Sequence, residues 1–266
     1  MGRPQALVRA GEILWSAWQQ GTVIESLPQE SRPLTRAEGY QVQSAIEARS
    51  SGPLFGWKIA ATSLAGQRHI NVDGPIAGRL LRERAHPSGA QLSLARNRMA
   101  VAEPEFAFSM GRDIPPRRLP YSVAEVMAAT ASLHPAIEVP DSRFADFTLA
   151  GEAQIIADNA CAHEFVLGNP APQSWRTTDL SSHRVHGQVS GPTRRYARDG
   201  SGAAVLGNPL DALVWLVNEL SSLGITLRRD QVVTTGACTV PLEVKAGDHV
   251  LADFGELGAV SVTFSE

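Results

Sequence analysis

The stretch Ala102-Glu103-Pro104-Glu105-Phe106-Ala107-Phe108 decides how this chain is read. It lies in an apolar, strand-like run from Met99 to Met110. Residues i and i+2 of a strand point to one face. Glu103 and Glu105 are therefore expected to leave the sheet together, with Phe106 and Phe108 on the opposite side. Two like charges a few ångströms apart repel. A fold carries them cheaply when a cation lies between them, when one holds a proton, or when water screens both. A third acid, Glu138, lies in a similar setting in Pro135-Ala136-Ile137-Glu138-Val139. Carboxylates so placed suggest a hard divalent cation with oxygen ligands, Mg²⁺ or Mn²⁺. The competing reading of the same spacing is a half-solvated strand with two exposed glutamates.

The rest of the chain narrows the choice. Its 266 residues are enough for a proper core. With 43% hydrophobic and 19% charged residues it has globular rather than disordered composition. A formal net charge of -3, without a basic stripe, argues against nucleic acid as a partner. The two cysteines, Cys161 and Cys238, form no CxxC, which fits a reducing compartment. Arg3, Arg9 and Glu12 interrupt the N-terminal apolar residues, so no signal peptide is expected. No apolar run reaches membrane-spanning length. The expectation is a soluble cytoplasmic protein.

Leu7, Ala10, Ile13, Leu14 and Trp18 recur near helical spacing and predict a helix over Ala6 to Gln20. Thr35 is placed to cap a second helix, with Glu38 at the capping-box position. Residues 1–52 thus read as a helical N-terminal region, and 53–266 as a β-rich domain. Strands are expected at Phe55 to Ala60, Ser132 to Val139, Ala162 to Leu167 and His183 to Val189. Further strands are expected around Val232, Val250 and Val260. Short helices are read at Ser63 to Ile70 and from Ser122, and a mostly helical stretch, broken near Gly151, at Phe144 to Ala157. Arg194 to Leu206 reads as a hairpin turning at Asp199-Gly200. Asn208 and Pro209 open a helix that ends at Gly224. Strands and helices do not alternate cleanly, which disfavours a doubly wound parallel sheet.

Several segments, taken in order, resemble one family. They are Gly56-Trp57-Lys58-Ile59, Asp73-Gly74-Pro75 with Gly78-Arg79-Leu80, and Glu103-Pro104-Glu105. Pro135 to Val139 with Asp141-Ser142-Arg143, Asp158-Asn159-Ala160, and Gly247-Asp248 to Gly258 continue the set. Together they resemble the 2-keto-4-pentenoate hydratase and 4-oxalocrotonate decarboxylase family of the fumarylacetoacetate hydrolase superfamily. The resemblance implies an α+β fold, a mixed β-sandwich roll with a helical N-terminal region. It implies a Mg²⁺ or Mn²⁺ site at Glu103, Glu105 and Glu138, a catalytic Lys58 and an acidic partner, Asp73. Thr62, Ser63 and Asn159 are expected to touch substrate. Two departures from the family pattern, Ala60-Ala61-Thr62 and Ala160-Cys161, are expected near the pocket and bear on substrate identity. The resemblance also implies a homo-oligomer and raises a complex with a pathway aldolase or decarboxylase.

The implied substrate is a small 2-oxo or 2-hydroxydienoic acid from aromatic catabolism. A metal Lewis acid stabilises the enolate of a 2-oxo acid. That permits tautomerisation of a 2-hydroxy-2,4-dienoate and conjugate addition of water, giving a 4-hydroxy-2-oxo acid. Protons need a positioned acid or base. Lys58, between Trp57 and Ile59, is the candidate, with partial burial expected to lower its pKa toward neutrality. A hydratase is thus the first reading and a 4-oxalocrotonate-type decarboxylase the second. An acylpyruvate C–C hydrolase and a non-catalytic partner subunit stand further off.

Overall fold

The computed structural model describes residues 2–266. Helices α1 (Arg3–Gln20) and α2 (Arg36–Glu47) open the chain, followed by β1 (Gly56–Ala60), α3 (Leu64–Ile70) and β2 (Ile76–Leu80). Then come β3 (Ala85–Pro87), β4 (Ala90–Ser93), β5 (Val101–Met110), α4 (Val123–Ala129) and β6 (Thr130–Val139). The second half runs α5 (Glu152–Ala157), β7 (Glu164–Leu167), β8 (Arg184–Ser190), β9 (Arg195–Ser201) and α6 (Pro209–Ser222). It closes with β10 (Val232–Ala237), β11 (Leu242–Glu243), β12 (His249–Asp253) and β13 (Ala259–Ser265).

The strands form two sheets. The larger is mixed, in the order β2-β1-β10-β5-β6-β7-β3, with β11 added to β5. The smaller runs β4-β13-β12-β8-β9. Phe106 and Phe108 of β5 are fully buried on the face opposite the glutamates. The Phe106 ring meets Phe254 edge-on at 5.0 Å, and Phe108 meets Trp175 at 5.8 Å. Val185, Val189, Val250 and Val262 complete this core from the smaller sheet. The alternation read in the opening stretch is therefore the alternation between core and site.

The N-terminal helices have their own apolar cluster of Leu7, Ala10, Leu14, Leu27, Val42, Phe144 and Ala157. The α1 positions in it follow the predicted spacing. Thr35 caps α2 by accepting from the Glu38 amide. The Glu38 carboxylate instead takes the Leu34 amide and Arg3, so the capping box is half made. The full reciprocal box is at Ser122 and Glu125.

Two expectations are corrected. Asp199-Gly200 is not a turn: it lies within β9, with Asp199 opposite His186 of β8. The turn falls at Gly191 to Arg194, closed by the Gly191 amide on the Arg194 carbonyl at 2.8 Å. Gly200 serves close approach instead, because a Cβ there would lie 1.9 Å from the Cys238 carbonyl oxygen. The stretch 144–157 is also less helical than expected. It holds only a 3₁₀ turn, Phe147–Leu149, and the short α5, with the expected break at Gly151 (φ +81°) between them.

Candidate metal centre and active site

Topology gathers the candidate groups at one end of the larger sheet. β1 and β10 run parallel, and both are antiparallel to their outer neighbours, β2 and β5. The ends of β1, β10 and β6 therefore meet the start of β5. Glu103 and Glu138 are direct cross-strand partners, and Glu105 stands two residues along the same face. Each of the three can offer an oxygen within 4.8 Å of the others. Glu105 and Glu138 are fully buried, Glu103 half-buried.

Lys58 enters from β1 and is 3% exposed. Its Nζ lies 3.1 Å from Glu138 Oε2 and donates to the Ala160 carbonyl at 3.0 Å. Glu105 Oε2 accepts from Thr234 Oγ1 and, at 2.8 Å, from the Gly236 amide. Glu105 Oε1 and both Glu138 oxygens are buried without a hydrogen-bond partner; the Lys58 contact is an ion pair rather than a directed bond. Buried oxygens left with free lone pairs are costly. An all-oxygen donor set of this kind fits Mg²⁺ or Mn²⁺, and neither histidine nor thiolate joins it.

The electrostatics agree. Burial pushes Glu105 up to about 7, and repulsion from Glu103 adds to it, against Lys58 and the two donors. Burial likewise raises Glu103, and raises Glu138 well above the ordinary carboxylate range. Lys58 departs from expectation. Burial does press it toward the neutral amine, but Glu138, Glu103 and Glu105 outweigh that and hold it above its ordinary value. In the cation-free cluster it is an ammonium.

A stability prediction follows from these directions. Unfolded Glu105 releases its proton near ~4.3, whereas the folded residue keeps it to about 7. Between those values the folded state binds more protons, so stability falls as pH rises. Lys58 stays protonated throughout that window and contributes no slope. Protein stripped with EDTA should therefore melt several degrees lower at pH 8 than at pH 5, with the raised Glu103 and Glu138 adding to the drop in the same sense. Saturating Mg²⁺ should remove most of the difference. A flat EDTA profile would mean that the carboxylates are ionised in the cation-free fold.

No protein-family model matches the sequence. The curated proteins do. The chain is 34% identical to a 2-keto-4-pentenoate hydratase of Burkholderia vietnamiensis over 85% of its length and 84% of the relative's. It is 31% identical to the 2-keto-4-pentenoate hydratase of Paraburkholderia xenovorans over 98% and 96%. The chain belongs to the 2-keto-4-pentenoate hydratase and 4-oxalocrotonate decarboxylase family. It is an enzyme, with the α+β fold of fumarylacetoacetate hydrolase-like proteins. The solved 4-oxalocrotonate decarboxylase from Pseudomonas putida G7, complexed with magnesium and adipate, superposes with a TM-score of 0.86. It is 26% identical and covers 99% of this chain and 98% of its own.

The family segments Asp141-Ser142-Arg143 and Asp158-Asn159-Ala160 meet in the fold. Asp158 accepts from Ser142 Oγ at 2.7 Å, the Arg143 amide at 3.0 Å and the Arg143 guanidinium. Arg143 also donates to the carbonyls of Asp141 and Ala162 and stacks on Trp18. This buried knot anchors three consecutive left-handed residues, Asn159, Ala160 and Cys161. The turn they make presents the Ala160 carbonyl to Lys58.

The remaining predicted residues fall as follows. Asn159 spends its amide on the Arg79 backbone, accepting at 2.6 Å and donating at 2.8 Å. Thr62 is buried beside Gly236. Ser63 caps α3 by accepting from the Gly66 amide. Asp73 is exposed on the turn after α3 and is not among the groups that act on Lys58. Thr234, Gly236 and the Ala160 carbonyl were not singled out from sequence. The only signal was a glycine interrupting a strand pattern, which marks a bulge or a close approach.

Other candidates for chemistry are occupied. His134 bonds Gly168 O and Ser132 Oγ, and His163 accepts from Trp18 Nε1. Burial pushes the Cys161 thiol up to about 12, with Asp158 adding to it, so no thiolate forms there. No helix among the described residues is long and apolar enough to cross a membrane.

Proposed function

We propose that the protein is a Mg²⁺- or Mn²⁺-dependent hydratase that adds water to a 2-hydroxy-2,4-dienoate to give a 4-hydroxy-2-oxo acid. The observation that carries the reading is the largely buried trio Glu103, Glu105 and Glu138 with the Lys58 ammonium against it. Glu103, Glu105 and Glu138 hold the cation, which supplies Lewis-acid stabilisation of the charge on the substrate's 2-oxygen when bound. Lys58 moves the protons. As an ammonium it donates to C5 of the ionised dienol, which gives the α,β-unsaturated 2-oxo acid. The free amine then accepts a proton from the water that adds at C4, and that proton passes to C3. The amine this leaves regains from solvent the proton that the dienol gave up on ionising, so dienol plus water is converted to the hydroxy-oxo acid with the ammonium restored.

Residues 61–75 join β1 to β2 at the glutamate end of the sheet. Thr62 and Ser63 are proposed to meet the substrate from this loop, and Asp73 to orient water at its edge. Asn159 contributes by fixing β2 against the 159–161 turn. The hydratase is favoured over the decarboxylase because the latter must also neutralise a second substrate carboxylate. Lys58 is the only cation among the described residues that acts on Glu103.

Proton NMR of the purified chain with 2-hydroxypenta-2,4-dienoate and Mg²⁺, beside an EDTA control, tests this. Metal-dependent appearance of 4-hydroxy-2-oxopentanoate is the expected result. Absence of turnover with metal bound, and release of CO₂ from 4-oxalocrotonate, would move the assignment to the decarboxylase.

A further inference from the structure

The two donors on Glu105 come from a defect in the sheet. β10 pairs regularly with β5 from Val232 to Thr234, then slips register before Ala237 reaches Glu105. Inside the slip Gly236 takes φ +106°, and a Cβ there would lie 2.2 Å from Thr62 Oγ1. Only glycine fits. A β-bulge re-aims groups that a regular ladder would hold in the sheet plane. Here it swings the Gly236 amide out of the ladder and onto Glu105 Oε2, at 2.8 Å. The Thr234 hydroxyl, fully buried, converges on the same oxygen. Its neighbour Thr235 faces away and donates to the Phe106 carbonyl. A threonine is stiff at χ1, so the direction of that hydroxyl is set by the strand.

The result is an asymmetric carboxylate. One oxygen is taken by two donors, and the other, Oε1, is buried and bare. Glu138 has no such donors on either oxygen.

We infer that Thr234 is a positioning residue for the cation: its hydroxyl, with the Gly236 amide, locks Glu105 so that Oε1 alone is presented to the metal. The inference rests on the proposed cation site and adds the group that orients one of its ligands. Partners that orient metal ligands typically change affinity by ~10- to 100-fold when removed.

The test is calorimetric titration of Mg²⁺ into EDTA-stripped, dialysed full-length protein, with melting temperatures taken in parallel. Wild type, Thr234→Val, Thr234→Ser and Glu105→Gln are compared. Thr234→Val keeps the shape and removes the donor, so the Mg²⁺ dissociation constant should rise at least about tenfold. Thr234→Ser restores a hydroxyl and should return to within a few-fold of wild type. Glu105→Gln marks the loss of the ligand itself. A residue that served the core alone would lower the cation-free melting temperature and leave the dissociation constant unchanged. That pattern, or equal affinity in wild type and Thr234→Val, would overturn the inference while leaving the cation site standing. Absence of Mg²⁺ binding by wild type would overturn the cation site and the inference with it. Thr234→Ala replaces the valine variant if that fails to fold. Failure of both to fold even in saturating Mg²⁺ would assign Thr234 to the core and overturn the inference.

Discussion

Lys58→Met should abolish hydration while leaving Mg²⁺ binding intact. Positioned acid–base groups contribute ~10²- to 10⁴-fold, and Lys58 is asked to act in three proton transfers, so a loss near the upper end is expected. Methionine keeps the length and apolar stem of the side chain in its buried slot. The charge removed lies 3.1 Å from Glu138. Losing it takes away a cation that competes with the metal for that carboxylate, so Mg²⁺ affinity should hold or tighten. In the cation-free state the glutamates lose their only nearby counter-charge among the described residues and keep their protons to higher pH. The EDTA form of the variant should therefore bind Mg²⁺ with a larger proton release than wild type. Turnover retained to within tenfold would remove Lys58 from the mechanism.

Asp158→Ala should have the largest effect on stability. Asp158 and Arg143 form a buried pair, with side chains 0% and 3% exposed. Burial outweighs Arg143 and holds the Asp158 carboxyl above its ordinary value, so the pair is not strongly stabilising in itself. The cost of the substitution comes from the guanidinium left behind, typically ~3–5 kcal/mol. At roughly 2–4 °C per kcal/mol for a chain of this order of size, the melting temperature should fall by on the order of 10 °C. Arg143→Met added to Asp158→Ala removes the stranded charge and should recover part of the loss. Neither change touches a metal ligand, but both loosen the left-handed turn that offers the Ala160 carbonyl to Lys58. Activity measured well below the melting temperature should thus remain reduced even where the double variant regains stability. Additive losses in the double variant would show that Arg143 is satisfied without Asp158.

The glutamates were legible in the sequence because a strand's period of two is a local property. Glu103 and Glu105 share a face whatever the strand pairs with. That Glu138 stands directly across from Glu103 was not legible, because register is set by turn and core partners distant in sequence. The charge state of Lys58 shows the same limit. Its apolar neighbours announce burial, yet the answer depends on carboxylates 45 or more residues away. Asp199-Gly200 failed for a different reason. Glycine relieves crowding as well as tight turning, and the crowding here comes from the backbone near Cys238. The Gly236 bulge was hidden likewise, since the atoms it accommodates belong to Thr62 and Glu105.

Helix α3 buries none of its residues, although it follows directly on the strand that carries Lys58. Its neighbours on the chain differ in this respect: β1 and β2 are buried almost throughout. Changes of side chain in α3 itself, between the buried Thr62 and Val72, therefore draw little on the core, since surface segments tolerate variation at small thermodynamic cost. A lineage can drift there freely while the acids and the lysine stay fixed by their strands. Selection for a new substrate tail would accordingly act first on this short segment. One scaffold can in this way be retuned for substrates of different shape without rebuilding its chemistry.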